Sequence, residues 1–118
     1  MVVETAAADE ADLVFHALAD ATRRDIVRRT LAEDGHNVSG LARHYPMSFA
    51  AVQKHVAVLE RAGLVTKRRH GREQIVRGNT EALRQAADLL GSLETLWRSR
   101  LDQFDQILTE YLNEGGDT

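Results

Sequence analysis

A chain of 118 residues, 43% hydrophobic and with one proline, has room for a single small core and little else. Its formal charge of -3 comes with no basic-then-apolar leader and no apolar run near the ~20 residues of a membrane span, so a soluble cytoplasmic protein with no membrane partner is expected. Zero cysteines exclude disulfides, thiolate metal sites and thiol redox sensing.

Residues 1–8 are small and weakly patterned and read as a flexible end, ahead of one domain over 9–118. Asp9 or Asp12 can cap a first helix that carries Leu13, Val14, Ala17 and Leu18 to about Ala19. A second helix follows from Asp20 or Thr22, with Ile26, Val27 and Leu31 at helical spacing, and Gly35 stops it. Ser39 is expected to cap a short helix over 40–44. Tyr45, Pro46 and Met47 then form a turn, because the residue before a proline is pushed out of the helical region, and Ser48 opens the next helix. Residues 39–62 thus read as a helix-turn-helix.

Projected at 100° per residue, that next helix carries Val52, Val56 and Leu59 as one apolar stripe, flanked by Ala51 and Val58. Ala50, Lys54, Ala57 and Arg61 lie opposite, with Gln53 to one side. Such a face suits a DNA major groove: Gln hydrogen-bonds adenine edges, Lys reaches guanine acceptors or phosphate, and alanine meets thymine methyls. Ser48, Ala50, Gln53 and Lys54 are therefore candidate DNA-reading residues. Phe49 stands with them, as either a core wedge or a groove contact.

Gly63 ends the helix as a C′ glycine, residues 64–69 read as a strand, and residues 73–77 return across a turn at His70-Gly71-Arg72. This hairpin, residues 63–79, is a wing. Lys67, Arg68, Arg69 and Arg72 cluster near its tip, where long cations can reach the DNA backbone or the minor groove; Arg68, Arg69 and Arg72 are the candidate contacts.

Beyond the wing, Thr80 is a candidate cap. Leu83, Ala87, Leu90, Leu93, Trp97, Leu101, Phe104, Leu108 and Tyr111 then recur every three or four residues, and Arg84/Asp88, Glu94/Arg98 and Arg98/Asp102 are favourable pairs. The pattern predicts one helix over 80–113, on the order of 45 Å long, which exceeds what a single small domain covers. Its stripe is expected to pack on the first helix and on the same helix of a second subunit. Leu13, Leu90, Leu93, Trp97, Leu101, Phe104 and Leu108 form this candidate dimer interface, and Gly91 allows close approach or a bend.

The charge map agrees with this layout. Residues 39–79 hold eight basic residues against two acidic ones, whereas the other 77 residues hold seven against sixteen. An acidic chain has concentrated its positive charge in the segment that carries the helix-turn-helix and the wing, as a phosphate-contacting face requires.

The segments ALADATRRDIV, VSGLARHYPMSFAAVQKHVAVLERAGLVTKRRHGR and LWRSRLDQFDQIL resemble the ArsR/SmtB family of bacterial transcriptional repressors, and within it the cysteine-free, SdpR-like branch. The resemblance spans nearly the whole chain. It implies a mainly α winged helix-turn-helix with a small β-hairpin, joined into a homodimer through its first and last helices and bound to a double-stranded DNA operator as an autorepressor. Ser48, Gln53 and Lys54 match the base-reading end of the recognition helix, and Gly71 and Arg72 match the wing tip. Ser39 and His55 come over as weaker phosphate contacts; for His55, whose projection leans toward the core, packing is the competing role. Ala21 stands where the family usually has proline.

Many relatives sense metals, yet this sequence argues against a metal site or any other cofactor. None of the five histidines has a histidine partner at (i, i+3) or (i, i+4), and Asp102 and Asp105 beside Arg98 and Gln106 read as solvated surface. No P-loop, GxSxG or HExxH motif supports an enzyme. The competing classes are a winged-helix module that binds protein, and a repressor answering to an effector that the sequence does not identify.

Overall fold

The computed structural model describes residues 6–115, with side chains from residue 9 onward. Its elements run α1 (Ala6–Leu18), α2 (Ala21–Ala32), β1 (His36–Asn37), α3 (Val38–Ala42), α4 (Phe49–Arg61), β2 (Val65–His70), β3 (Glu73–Gly78) and α5 (Thr80–Gly115). The chain divides into two compact units, Met1–Ala86 and Ala87–Thr118.

In the first unit, helix starts follow side chains that satisfy free backbone N–H groups. Asp20 caps α2 by accepting from Arg23 N, and Ser48 caps α4 by accepting from Ala51 N, both as expected. Two expectations are corrected. Asn37, not Ser39, caps α3, its Oδ1 accepting from Gly40 N at 2.6 Å, so Ser39 lies inside the first turn. Asn79, not Thr80, supplies the capping oxygen of α5, accepting from Glu81 N at 3.2 Å. In addition α1 begins at Ala6, ahead of both Asp9 and Asp12, so neither caps it; residues 1–5 of the segment expected to be flexible lie outside the described residues.

The wing belongs to a three-stranded antiparallel sheet ordered β1-β3-β2. The two-residue β1 was not anticipated; it pairs His36 with Val76 and Asn37 with Ile75. Strands β2 and β3 pair from Val65 opposite Gly78 to His70 opposite Glu73 and are joined by Gly71-Arg72 alone, a turn one residue tighter than expected. Gly71 has φ +64, the left-handed value that a two-residue hairpin demands at its first central position.

Ile26, Leu41, Val52, Val56, Leu59, Leu64, Val65 and Val76 form the fully buried core, so the predicted stripe of α4 faces inward. Ala86 closes it from the start of α5. The buried Thr30 hydroxyl donates within its own helix, bonding to Ile26 O and Val27 O at 3.0 Å each.

Gly63 has φ +76 one residue past the α4 cap, and a Cβ there would meet only Ala82 Cβ at an ordinary 3.7 Å. The cost of a side chain is therefore backbone strain alone. Gly63→Ala is expected to lose about 1–2 kcal/mol of stability, read in urea denaturation as a lower midpoint with an unchanged slope; an unmoved midpoint would contradict it.

The second unit is the remainder of α5, a helix of 36 residues in all and slightly longer than the predicted 80–113. Arg98 pairs with Glu94 at 2.6 Å as expected, whereas Arg84, in the first unit, pairs with Glu81 at 3.7 Å instead of Asp88.

Candidate nucleic-acid interface

Helix α4 presents two faces. With Val52, Val56 and Leu59 buried, Ser48, Ala50, Gln53 and Lys54 are all exposed along its N-terminal half. Phe49 is 46% exposed, which settles it as a surface residue and not a core wedge. Ala57 is half-buried, so the outward face is narrower than projected.

Two polar networks fix this helix and its turn to α2. Arg23 donates from Nε to Ala17 O (2.7 Å) and from Nη2 to His16 O (3.2 Å), which ties α2 to the end of α1. Its Nη1 lies 3.2 Å from His55 Nδ1 on α4. Since a guanidinium only donates, Nδ1 accepts and the ring proton is assigned to Nε2. The His55 side chain is 21% exposed and Asp20 Oδ2 lies 3.9 Å from Nδ1. Asp20 is held below the usual carboxylate range, first by the Arg23 backbone N–H, with burial pushing the other way and the Arg23 charge then adding to the lowering.

Tyr45, in the turn before α4, donates its hydroxyl to Asp25 Oδ2 at 2.7 Å, and Arg29 Nε donates to the same oxygen at 2.8 Å. These bonds lower the Asp25 pKa, the tyrosine's first and the arginine's second. Burial, then the Asp25 hydrogen bond, pushes Tyr45 up to about 12. Neither network was anticipated from the sequence; the only signal was the density of charge on the second helix.

Beside α4 lies a cleft of about 650 Å³, walled by Ser39, Gly40 and Arg43 of α3 and its flank, Phe49 and Gln53 of α4, and Arg72, Glu73 and Gln74 of the wing. The geometry therefore brings together the candidate residues Ser39, Phe49, Gln53 and Arg72. Asn37 Nδ2 donates to Glu73 Oε1 at 3.1 Å, linking the wing to the α3 cap.

The pleat alternates the wing cations between two faces, although Arg68, Arg69 and Arg77 line one trough. The pleat puts Thr66, Arg68, His70, Glu73, Ile75 and Arg77 on one face of the hairpin and Val65, Lys67, Arg69, Gln74 and Val76 on the other. Because Val65 and Val76 are buried, the second face is the core side. Arg68 and Arg69, adjacent in sequence, thus belong to opposite faces.

Leu13 on α1 is 49% exposed, and on α5 the expected stripe of Leu90, Leu93, Trp97, Leu101, Phe104 and Leu108 is exposed throughout, between 43% and 65%. Leu89, Leu96, Ile107, Tyr111 and Leu112 are exposed as well, so the unpartnered apolar surface of α5 is wider than one stripe. Among the described residues no group of three or more His, Asp or Glu side chains is arranged to hold a metal ion, and no helix is long and apolar enough to cross a membrane.

Comparison with known proteins bears on this geometry. A helix-turn-helix domain family matches residues 18–68. The chain is 37% identical over 107 residues to the HTH-type transcriptional regulator Rv2034 of Mycobacterium tuberculosis, covering 91% of this chain and 94% of the relative. It is 35% identical over 79 residues to the HTH-type regulator YuzN of Bacillus subtilis, covering 62% and 86%. Among solved structures, an ArsR-like transcriptional regulator from Rhodococcus sp. RHA1 matches with a TM-score of 0.77 and 33% identity, over 86% of this chain and 93% of that one.

Proposed function

Given that the chain belongs to the ArsR-like helix-turn-helix transcriptional regulators and is a DNA-binding regulator of transcription, we propose that it is a homodimeric repressor, working in the cytoplasm on a short, imperfectly palindromic operator in its own promoter. In this reading Gln53 and Lys54 read base edges from α4, with Ser48, Phe49 and Ala50 in the same groove. Arg69 and Arg72 hold the backbone or minor groove from the wing, and Ser39 and the Nε2 proton of His55 add phosphate contacts.

The observation that carries the proposal is the exposed, small and polar N-terminal half of α4, opening on a cleft that it shares with the wing. The unpartnered apolar face of α5 supports the dimer, in which two recognition helices meet successive turns of one duplex. The absence of cysteine supports the cysteine-free branch of the family and a regulator that no thiol-binding metal or oxidant releases from DNA.

Selection of bound sequences from random DNA by the purified protein defines the operator, and Gln53→Ala tests the readout. We expect the substitution to relax preference at one operator position by about 1–3 kcal/mol while leaving binding to random DNA nearly unchanged, because a base-edge contact discriminates and a phosphate contact does not. An equal loss on both DNAs removes Gln53 from the reading set.

A further inference from the structure

On the outer face of the wing, the side turned away from the core, Arg68 stands opposite Ile75 and Arg77 opposite Thr66. The two arginines are therefore diagonal cross-strand neighbours, about 7–8 Å apart. Both are exposed, and together with Gly35, Thr66, Arg69, His70 and Ile75 they line a trough of about 630 Å³. Gly35 has φ +86 and open space where a side chain would stand, so the rim there is bare backbone.

The charge of this trough is uncompensated. Neither Arg68 nor Arg77 joins an ion pair among the described residues. The one carboxylate on the same face, Glu73, sits at the tip opposite His70 and accepts from Asn37. Two neighbouring guanidiniums without a counter-charge repel each other in water and gain most from an anion that spans them.

We propose that this outer face is a second phosphate-binding surface, on which Arg68 and Arg77 engage the backbone of the DNA flanking the operator, with the Thr66 hydroxyl donating beside them. The inference rests on the DNA-binding reading of α4 and the wing tip. Arg72 and Gln74 share their cleft with Phe49 and Gln53, so the tip is the side of the wing that meets the groove read by α4. A duplex lying there continues past the tip, and the outer face looks onto the strand that leaves the site. Protein–DNA contact then extends beyond the bases that α4 reads, by contacts that carry no sequence information.

The test uses the full chain and two duplexes, the selected operator trimmed to its base-read core and the same core with about ten random base pairs added on each side, about one further helical turn. Wild type is expected to bind the long duplex more tightly and with a steeper salt dependence than the short one. Arg68→Gln/Arg77→Gln is expected to lose that gain, binding both duplexes alike, with the salt slope on the long duplex falling by about 0.9 unit per lost phosphate and so by up to about four units for two wings. Its discrimination between operator and scrambled core should stay intact, and Arg68→Lys/Arg77→Lys, which keeps the charge, should restore most of the gain. Gln53→Ala should do the converse, losing discrimination and keeping the flank gain. A flank gain that survives in the glutamine pair while its urea midpoint matches wild type overturns the proposal. So does saturable binding of inorganic phosphate that the pair abolishes without touching the flank gain, which would make the trough a site for a free anion. If wild type binds neither duplex, the DNA reading itself fails, an outcome distinct from both.

Discussion

Trp97→Ala is expected to turn the protein from a dimer into a monomer at micromolar concentration, and Phe104→Ala to do the same. Trp97 and Phe104 are 61% and 65% exposed in the single chain, within a run of large apolar side chains on α5 from Leu89 to Leu112. A monomer rarely leaves so much contiguous apolar surface in water. Truncating a buried tryptophan or phenylalanine costs about 3–5 kcal/mol through lost transfer energy and the cavity left behind. At about 1.4 kcal/mol per tenfold, even one such loss weakens association by more than about a hundredfold, and symmetry repeats it on the partner. Sedimentation equilibrium reads the change directly, and the thermal midpoint of wild type should rise with protein concentration while that of Trp97→Ala should not. A wild type that sediments as a monomer at micromolar concentration refutes the dimer.

Neutralising the wing tip is expected to produce the second large effect. Arg72 is in the turn itself and Arg69 stands opposite Gln74 on the core-side face, both exposed. If they hold phosphates or a narrow minor groove, Arg69→Gln/Arg72→Gln should weaken binding to every DNA sequence, and two dimer-related wings should lower the salt slope by up to about four units. Preference among operators should survive, because no base-edge donor is removed. The loss should already be present on a duplex trimmed to the operator core, which separates the tip from the outer-face pair Arg68 and Arg77. Unchanged affinity and slope would reduce the tip's charge to solvated surface and favour a protein-binding role for the winged helix.

What was legible in the sequence was what local spacing encodes. The stripe Val52, Val56 and Leu59, the Ser48 cap and the C′ glycine at Gly63 all lie within a few turns of one another, and each was read correctly. The errors fall where two residues compete for one role over a short distance. Asn37 and Ser39 can both cap a helix, and only the 2.6 Å approach of the Asn37 side chain to Gly40 N decides between them. Strand β1 has two residues, too few to show a period, and exists because β3 offers it an edge. The networks around Arg23 and Tyr45 were illegible for another reason. Arg23 meets His55 across 32 positions and Tyr45 meets Asp25 across 20, separations over which periodicity carries no information. The division of Arg68 from Arg69 was within reach, since strand alternation alone implies it; charge density along the chain drew the two together where the pleat separates them.

The partition of α4 bears on how such a regulator diversifies. The helix is held on its inner side by Val52, Val56 and Leu59 in the core and by Arg23 at His55. Ala50, Gln53 and Lys54 carry none of that burden, and exchanging exposed residues of this kind usually shifts stability by no more than about 0.5 kcal/mol. If these three positions read the operator, one copy can drift toward a new operator through them after gene duplication while its scaffold stays under the same selection, so new targets are reached without passing through an unfolded ancestor.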